Sequence, residues 1–272
     1  MKSIVVHFGV YADWTPSADT AISLASRSGA KLTGLFTSRE IAILKLMLDG
    51  DHSAVVEAEA RDGVQIARVK ERFMKACEAA GVAASFDVGE GDAHELLCLV
   101  GRCHDLLVIE HARGGLDGIG DSVEECAVAC GTPTLIVPKE GSFDSVGKNI
   151  VIGWNNSRQA ASAIRGALPL IASADRVTVL VGQDRRPAEL IARRPQADIV
   201  EYLKLYSDTV VSAPFTRDSA NVGSSLQAQA LDLGADVLVM GAYGRSAWRE
   251  FVFGGTTREV ISNLQLPVLM AH

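Results

Sequence analysis

The residues best suited to chemistry lie near the C-terminus. Gly241-Ala242-Tyr243-Gly244 is followed, after nine residues, by Gly254-Gly255-Thr256-Thr257-Arg258-Glu259. The segment begins directly after Asp236-Val237-Leu238-Val239-Met240, an aliphatic run of the kind that forms a buried strand. Glycine at a strand end lets the backbone turn sharply and lets a ligand come close to main-chain N–H groups. A helix predicted to begin near Thr256 adds unpaired N–H groups and the positive end of its dipole. Thr256 and Thr257 add hydroxyl donors, and Arg245, Arg249 and Arg258 carry charge that suits phosphates. Two other readings of the same residues stay open. Thr256-x-x-Glu259 has the form of a capping box, with Gly241 and Gly244 serving turn geometry. The arginines also read as surface charges balanced by Glu250 and Glu259.

Strands and helices must hold these residues in place, and the chain supplies them twice. Lys2-Ser3-Ile4-Val5-Val6 returns as Lys148-Asn149-Ile150-Val151-Ile152. His104-Asp105-Leu106-Leu107-Val108-Ile109 returns as Ala235-Asp236-Val237-Leu238-Val239-Met240, and Thr132-Pro133-Thr134-Leu135-Ile136-Val137 as Leu266-Pro267-Val268-Leu269-Met270-Ala271. Helical stretches lie between the runs: Ser17 to Ser28 and Arg158 to Ala172, then Ala93 to Cys103 and Ser224 to Leu233. Alternation of this kind predicts parallel sheets with right-handed crossovers, each half reading β-α-β-α-β-α-β-α-β. The fold class is therefore α/β, with two Rossmann-like, doubly wound, five-stranded parallel-sheet domains in tandem. The expected domains are residues 1–139 and 147–272, joined by the charged, glycine-containing stretch Lys139 to Gly147. The halves differ in the middle. The first carries a long helical stretch from Ile41 to Cys77, interrupted at Gly50-Asp51-His52-Ser53, and the second a shorter one from Pro187 to Tyr206.

Composition narrows the function classes. The chain has 272 residues, 22% of them charged, and a net charge of −7, which argues against a nucleic-acid binder with a basic face. The apolar run after Met1-Lys2-Ser3 is too short for a signal peptide, and no stretch approaches the roughly 18 apolar residues of a membrane span. A cytoplasmic protein is expected. Cys77, Cys98, Cys103, Cys126 and Cys130 are odd in number and lack Cys-x2-Cys pairing, so a disulfide framework is not expected. Cys126 and Cys130 share a predicted helix face with His104 and His111 nearby in sequence. Buried cysteines acting as small apolar side chains are the expectation there, with no metal site. His7, inside the first strand, reads as a satisfied core histidine. A nucleophile elbow, a His-Glu-x-x-His zinc motif and a P-loop lysine are all missing from the sequence. Catalytic residues are therefore not expected, and at most slow nucleotide hydrolysis.

At Leu233 to His272 the sequence resembles the universal stress protein family. ATP-binding members of that family carry Gly-x2-Gly-x9-Gly, followed by Ser or Thr, after the fourth strand. Gly241, Gly244 and Gly254 match this spacing, and the hydroxyl comes one place late, at Thr256 after Gly255. The family's Asp at the end of the first strand falls on Asn155, and Val181 falls near where the family lodges the base. The resemblance implies a cofactor site for ATP with Mg2+ made by Asn155, Val181, Gly241, Gly244, Arg245, Gly254, Gly255, Thr256 and Thr257. It also implies pairing of the two halves within the chain, or a homodimer, through the last strand. The first half departs further, with Gly9 at the Asp position and Glu110 at the first motif glycine. Gly114, Gly115, Gly118 and Gly120 are out of register. That half reads as degenerate for nucleotide. The expected role is a stress-response sensor or binding module, with a nucleotide-independent scaffold as the alternative.

Overall fold

The computed structural model describes residues 1–9, 14–38, 52–111, 126, 129–182, 198–216, 221–242 and 255–272. The chain folds as two units that divide between Val146 and Gly147. In the first, strands β1 (Ser3–Phe8), β2 (Lys31–Ser38), β3 (Ala84–Glu90), β4 (Leu106–His111) and β5 (Thr134–Pro138) alternate with helices α1 (Pro16–Ser28), α2 (His52–Ala79) and α3 (Ala93–Gly101). Residues 126 and 129 are also helical, between β4 and β5. The strand order is β3-β2-β1-β4-β5, with parallel pairing throughout. The second unit repeats the plan with β6 (Asn149–Trp154), α4 (Arg158–Ile171), β7 (Arg176–Val181), α5 (Ile199–Lys204), β8 (Val210–Pro214), α6 (Val222–Asp232), β9 (Val237–Gly241), α7 (Gly255–Ser262) and β10 (Val268–Ala271). Its order is β8-β7-β6-β9-β10, and β6 pairs in parallel with both β7 and β9. The α/β class and the repeated doubly wound plan are thus as the sequence predicts.

The central strands are aliphatic on both faces because helices cover both faces. Ile4, Val5 and Val6 of β1 have no exposed surface, nor do Ile150, Val151 and Ile152 of β6. Helix starts follow local side-chain chemistry. Thr15 accepts a hydrogen bond from the Ala18 N–H ahead of Pro16, and α1 stops at Gly29, which sits in the left-handed region at φ 62°. Ser157 caps α4 by accepting from the Ala160 N–H at 3.1 Å, and Asp92 caps α3 through the Glu95 N–H at 3.0 Å. Residues 143–146, inside the stretch expected to link the halves, lie along α1 of the first unit. The Ser23 hydroxyl donates to the Asp144 carbonyl at 2.8 Å, and Arg27 donates to the Val146 carbonyl. No described helix is long and apolar enough to cross a membrane.

One aspartate in each unit locks strand order at its reversal. The Asp105 carboxylate accepts from the Lys2 N–H at 2.6 Å and the Ser3 N–H at 3.1 Å, while its own N–H donates to the Ser3 carbonyl. The Asp236 carboxylate accepts from the N–H groups of Gly147, Lys148 and Asn149 at 2.8, 3.0 and 3.0 Å, and its N–H donates to the Asn149 carbonyl. These clamps set Ile4 beside Leu106 and Ile150 beside Val237. His7 is held as a core residue, its Nε2 lying 2.8 Å from the Thr37 hydroxyl.

Hydrogen bonds to a charged carboxylate are worth more than neutral ones, so Asp236→Ala is expected to cost about 2–4 kcal/mol. A fall in the urea midpoint without a change in slope measures it. The bonds from Lys2 and Ser3 hold the Asp105 carboxyl below its usual range, the Lys2 contribution being the larger. A depressed folded value gives stability that is full above the ordinary carboxylate range and fades as pH falls through the lowered value. Asp105→Asn should therefore flatten the acid limb of a stability–pH curve, and an unchanged limb would rule out this carboxylate as a source of it.

Candidate functional site

Strand order reverses between β6 and β9, and in open α/β sheets ligands usually lie beyond the C-terminal strand ends at such a reversal. Trp154 pairs with Val181, and Gly153 with Met240, so Trp154, Val181 and Gly241 fall on one row at that edge. Asn155 follows Trp154 directly. Its Oδ1 accepts from the Ser157 N–H at 3.2 Å, a bond within the turn into α4. Asn156, the next residue, holds a left-handed φ of 57°. The chain turns from β6 into α4 within Asn155, Asn156 and Ser157. Val181 is 40% exposed, an apolar side chain at the strand edge rather than a core residue.

Gly241 has a steric reason to be glycine. A Cβ there would lie 2.5 Å from the Ala160 nitrogen and 2.6 Å from the Gln159 carbonyl carbon, at the start of α4. The helix that begins three residues after β6 presses on the end of β9, and a side chain at 241 would push it away.

Helix α7 begins at Gly255, with Gly255 exposed, Thr256 half-buried and Thr257 buried. The first-turn N–H groups of an α-helix have no acceptor inside the helix, which gives this end its affinity for anions. Thr257 is 3% exposed and belongs to the packing, so Thr256 is the better-placed hydroxyl. The capping-box reading of Thr256 and Glu259 is replaced by another pairing. Glu259 Oε2 accepts from the Gly223 N–H at 2.8 Å, in the first turn of α6, whose cap residue Asn221 makes no side-chain cap bond. Gly223 permits this approach, since a Cβ there would sit 2.6 Å from the Thr256 carbonyl oxygen. The structure thus brings Asn155, Val181 and Gly241 to one strand edge and sets Gly255, Thr256 and Thr257 in the first turn of α7. Gly244, Arg245, Arg249 and Gly254 lie outside the described residues.

The first unit is built differently at its strand ends. Phe8 packs on Phe73 and Phe86 with ring centroids 5.5 and 5.9 Å away, and Arg72 lies 4.4 Å over the Trp14 ring. Glu110 is a half-buried residue of β4 paired with Val137. His104, which the sequence places near the cysteines, is instead within 2.9 Å of the Val100 carbonyl and 3.2 Å of the Thr33 hydroxyl. A different histidine joins the sulfurs. His94, Cys98 and Cys126 bring their ligating atoms within 4.8 Å of one another. The four-residue spacing of His94 and Cys98, one helical turn, is the sequence signal for part of it.

A profile of the Universal stress protein family matches residues 147–272. Comparison with curated protein sequences gives no significant match. Among solved structures, a universal stress protein from Archaeoglobus fulgidus DSM 4304 is 14% identical with a TM-score of 0.73, over 99% of this chain and 95% of that one. A functionally unknown protein from Pseudomonas aeruginosa PAO1 is 15% identical with a TM-score of 0.58, over 99% and 92%. A universal stress protein family protein from Arabidopsis thaliana with AMP bound covers 52% of this chain and 94% of its own, at 14% identity and a TM-score of 0.36. The second unit, residues 147–272, thus matches the universal stress protein family, and the two full-length likenesses agree with the repeated sheets: the whole chain carries the fold of those structures, twice in tandem.

Proposed function

We propose that the second unit binds an adenine nucleotide, ATP with Mg2+, and that the protein acts as a stress-response sensor or binding module in the cytoplasm. The observation that most supports this is the placement of Asn155 just after β6 and of Gly241 at the end of β9, the two strands that flank the reversal of strand order. In this reading the phosphates are held by the first-turn N–H groups of α7 and the Thr256 hydroxyl, together with Gly244, Arg245 and Gly254. The ribose meets the Asn155 amide and the base lies on Val181. The first unit takes no nucleotide. A carboxylate at Glu110, where the second unit has Gly241, opposes a triphosphate.

A second reading, a scaffold that needs no nucleotide, is favoured by one observation. Gly241 and Glu259 already have packing and capping duties that require no ligand.

Calorimetric titration of nucleotide-stripped protein with ATP and Mg2+ is expected to saturate near one ATP per chain. Gly244→Glu is expected to abolish the heat while keeping the circular dichroism of the parent. A folded, stripped sample that takes up no ATP would move the assignment to the scaffold. Steady release of inorganic phosphate is expected to stay near background.

Gly241→Ala separates the two duties of that glycine. Overpacking against α4 is expected to cost about 1–3 kcal/mol in the nucleotide-free protein, read by urea unfolding. Unchanged stability with lost ATP binding would assign Gly241 to the ligand alone.

A further inference from the structure

The first unit carries chemistry that the nucleotide reading does not use. We infer that His94, Cys98 and Cys126 form a binding site for a thiophilic divalent cation, with Zn2+ as the fitting ion. His94 and Cys98 lie one turn apart on the same face of α3, the helix that the Asp92 cap starts. The His94 Nε2 is 3.5 Å from the Cys98 Sγ, and the three ligating atoms lie within 4.8 Å of one another. Tetrahedral zinc with bonds of about 2.3 Å to sulfur and 2.0 Å to nitrogen needs its ligand atoms roughly 3.5–3.8 Å apart. Small side-chain rotations close that difference.

The surroundings suit a cation held by sulfur. Cys98 and Cys126 are 4% and 0% exposed, while His94 is half-buried and gives the site its way in. Cys126 is tied into a helical turn, its carbonyl accepting from the Cys130 N–H at 3.0 Å. Cys130 then packs its own sulfur near the Leu97 and Cys98 carbonyls, at 3.8 and 3.9 Å. Gly101 makes that possible, because a Cβ there would lie 2.4 Å from the Cys130 sulfur. Cysteines serving only as small apolar fillers need no imidazole converging on them. Three protein ligands of mixed nitrogen and sulfur leave the fourth position to water.

Burial pushes the Cys98 thiol up and Cys130 adds to that, against the hydrogen bond from Cys126 and the charge of Arg102. A cation changes the balance. Each Zn–S bond replaces an S–H bond, the proton passes to solvent, and neutral His94 adds its nitrogen lone pair without losing a proton.

The test uses the full chain, reduced and stripped with a chelator. Addition of Co2+ is expected to give a thiolate charge-transfer band and the strong visible bands of tetrahedral cobalt, both removed by stoichiometric Zn2+. Zn2+ is also expected to raise the melting temperature of the stripped protein. His94→Ala, on a half-buried position that tolerates truncation, should weaken the cobalt affinity by about tenfold or more with unchanged circular dichroism. Cys98→Ser should remove the charge-transfer band. A folded, reduced protein without cobalt bands would overturn the site. So would bands that persist unchanged in both variants, which would place the metal on other residues such as the exposed Cys103. A Cys98–Cys126 disulfide in protein that takes up no metal would assign the pair to redox chemistry instead.

Discussion

Each unit depends on one aspartate at the start of its fourth strand. A doubly wound sheet grows outward from a central strand, and the growth reverses direction once. At that reversal two strands far apart in sequence must find each other without a hairpin to set their register. Asp105 and Asp236 supply the missing constraint, bonding the backbone at the start of the first strand from both carboxylate and N–H. The pairing of Ile4 with Leu106 and of Ile150 with Val237 follows. A one-residue slip would turn every side chain of the strand to the opposite face. It would also displace the strand ends of the candidate site, so the site inherits its geometry from a contact at the other end of the sheet.

The alternation of strands and helices was legible because it rests on periodicity and composition, which are local. The repeated Asp105 and Asp236 were visible as letters in a repeat, but their role was not, since it depends on backbone groups about a hundred residues away. Glu259 shows the same limit. Its spacing from Thr256 reads as a capping box within one helix, yet its carboxylate serves the neighbouring helix through Gly223. Local spacing cannot distinguish these, because both present an acidic side chain to a free N–H. Cys77, Cys98, Cys126 and Cys130 are buried, as expected, but their neighbours were not legible. Sequence proximity favoured His104 and His111 as neighbours of Cys126, whereas packing brings His94 and Cys98.

Gly241 meets a packing demand at the position proposed to face the nucleotide. Only three residues separate β6 from α4, and Asn156 takes a left-handed conformation among them. That short turn sets the first turn of α4 against the end of β9, where Gln159 and Ala160 exclude any Cβ at 241. The same lack of a side chain leaves the strand end open toward the candidate site. Spacing in the sequence cannot separate the packing demand from the ligand demand, since both select glycine at the same position.

The first unit differs at the corresponding position. Seven residues, Gly9 to Thr15, separate β1 from α1, where the second unit uses three. Counting from the paired aspartates, Glu110 stands in β4 where Gly241 stands in β9. At that position β4 accommodates a half-buried side chain, Glu110. Once tolerated, a carboxylate disfavours a polyphosphate and leaves that edge available for other uses. The frame is kept by constraints at the N-terminal ends of the strands, while the residues at the C-terminal ends differ between the units. A tandem chain can therefore keep two copies of one architecture while only one copy keeps the features that suit a nucleotide.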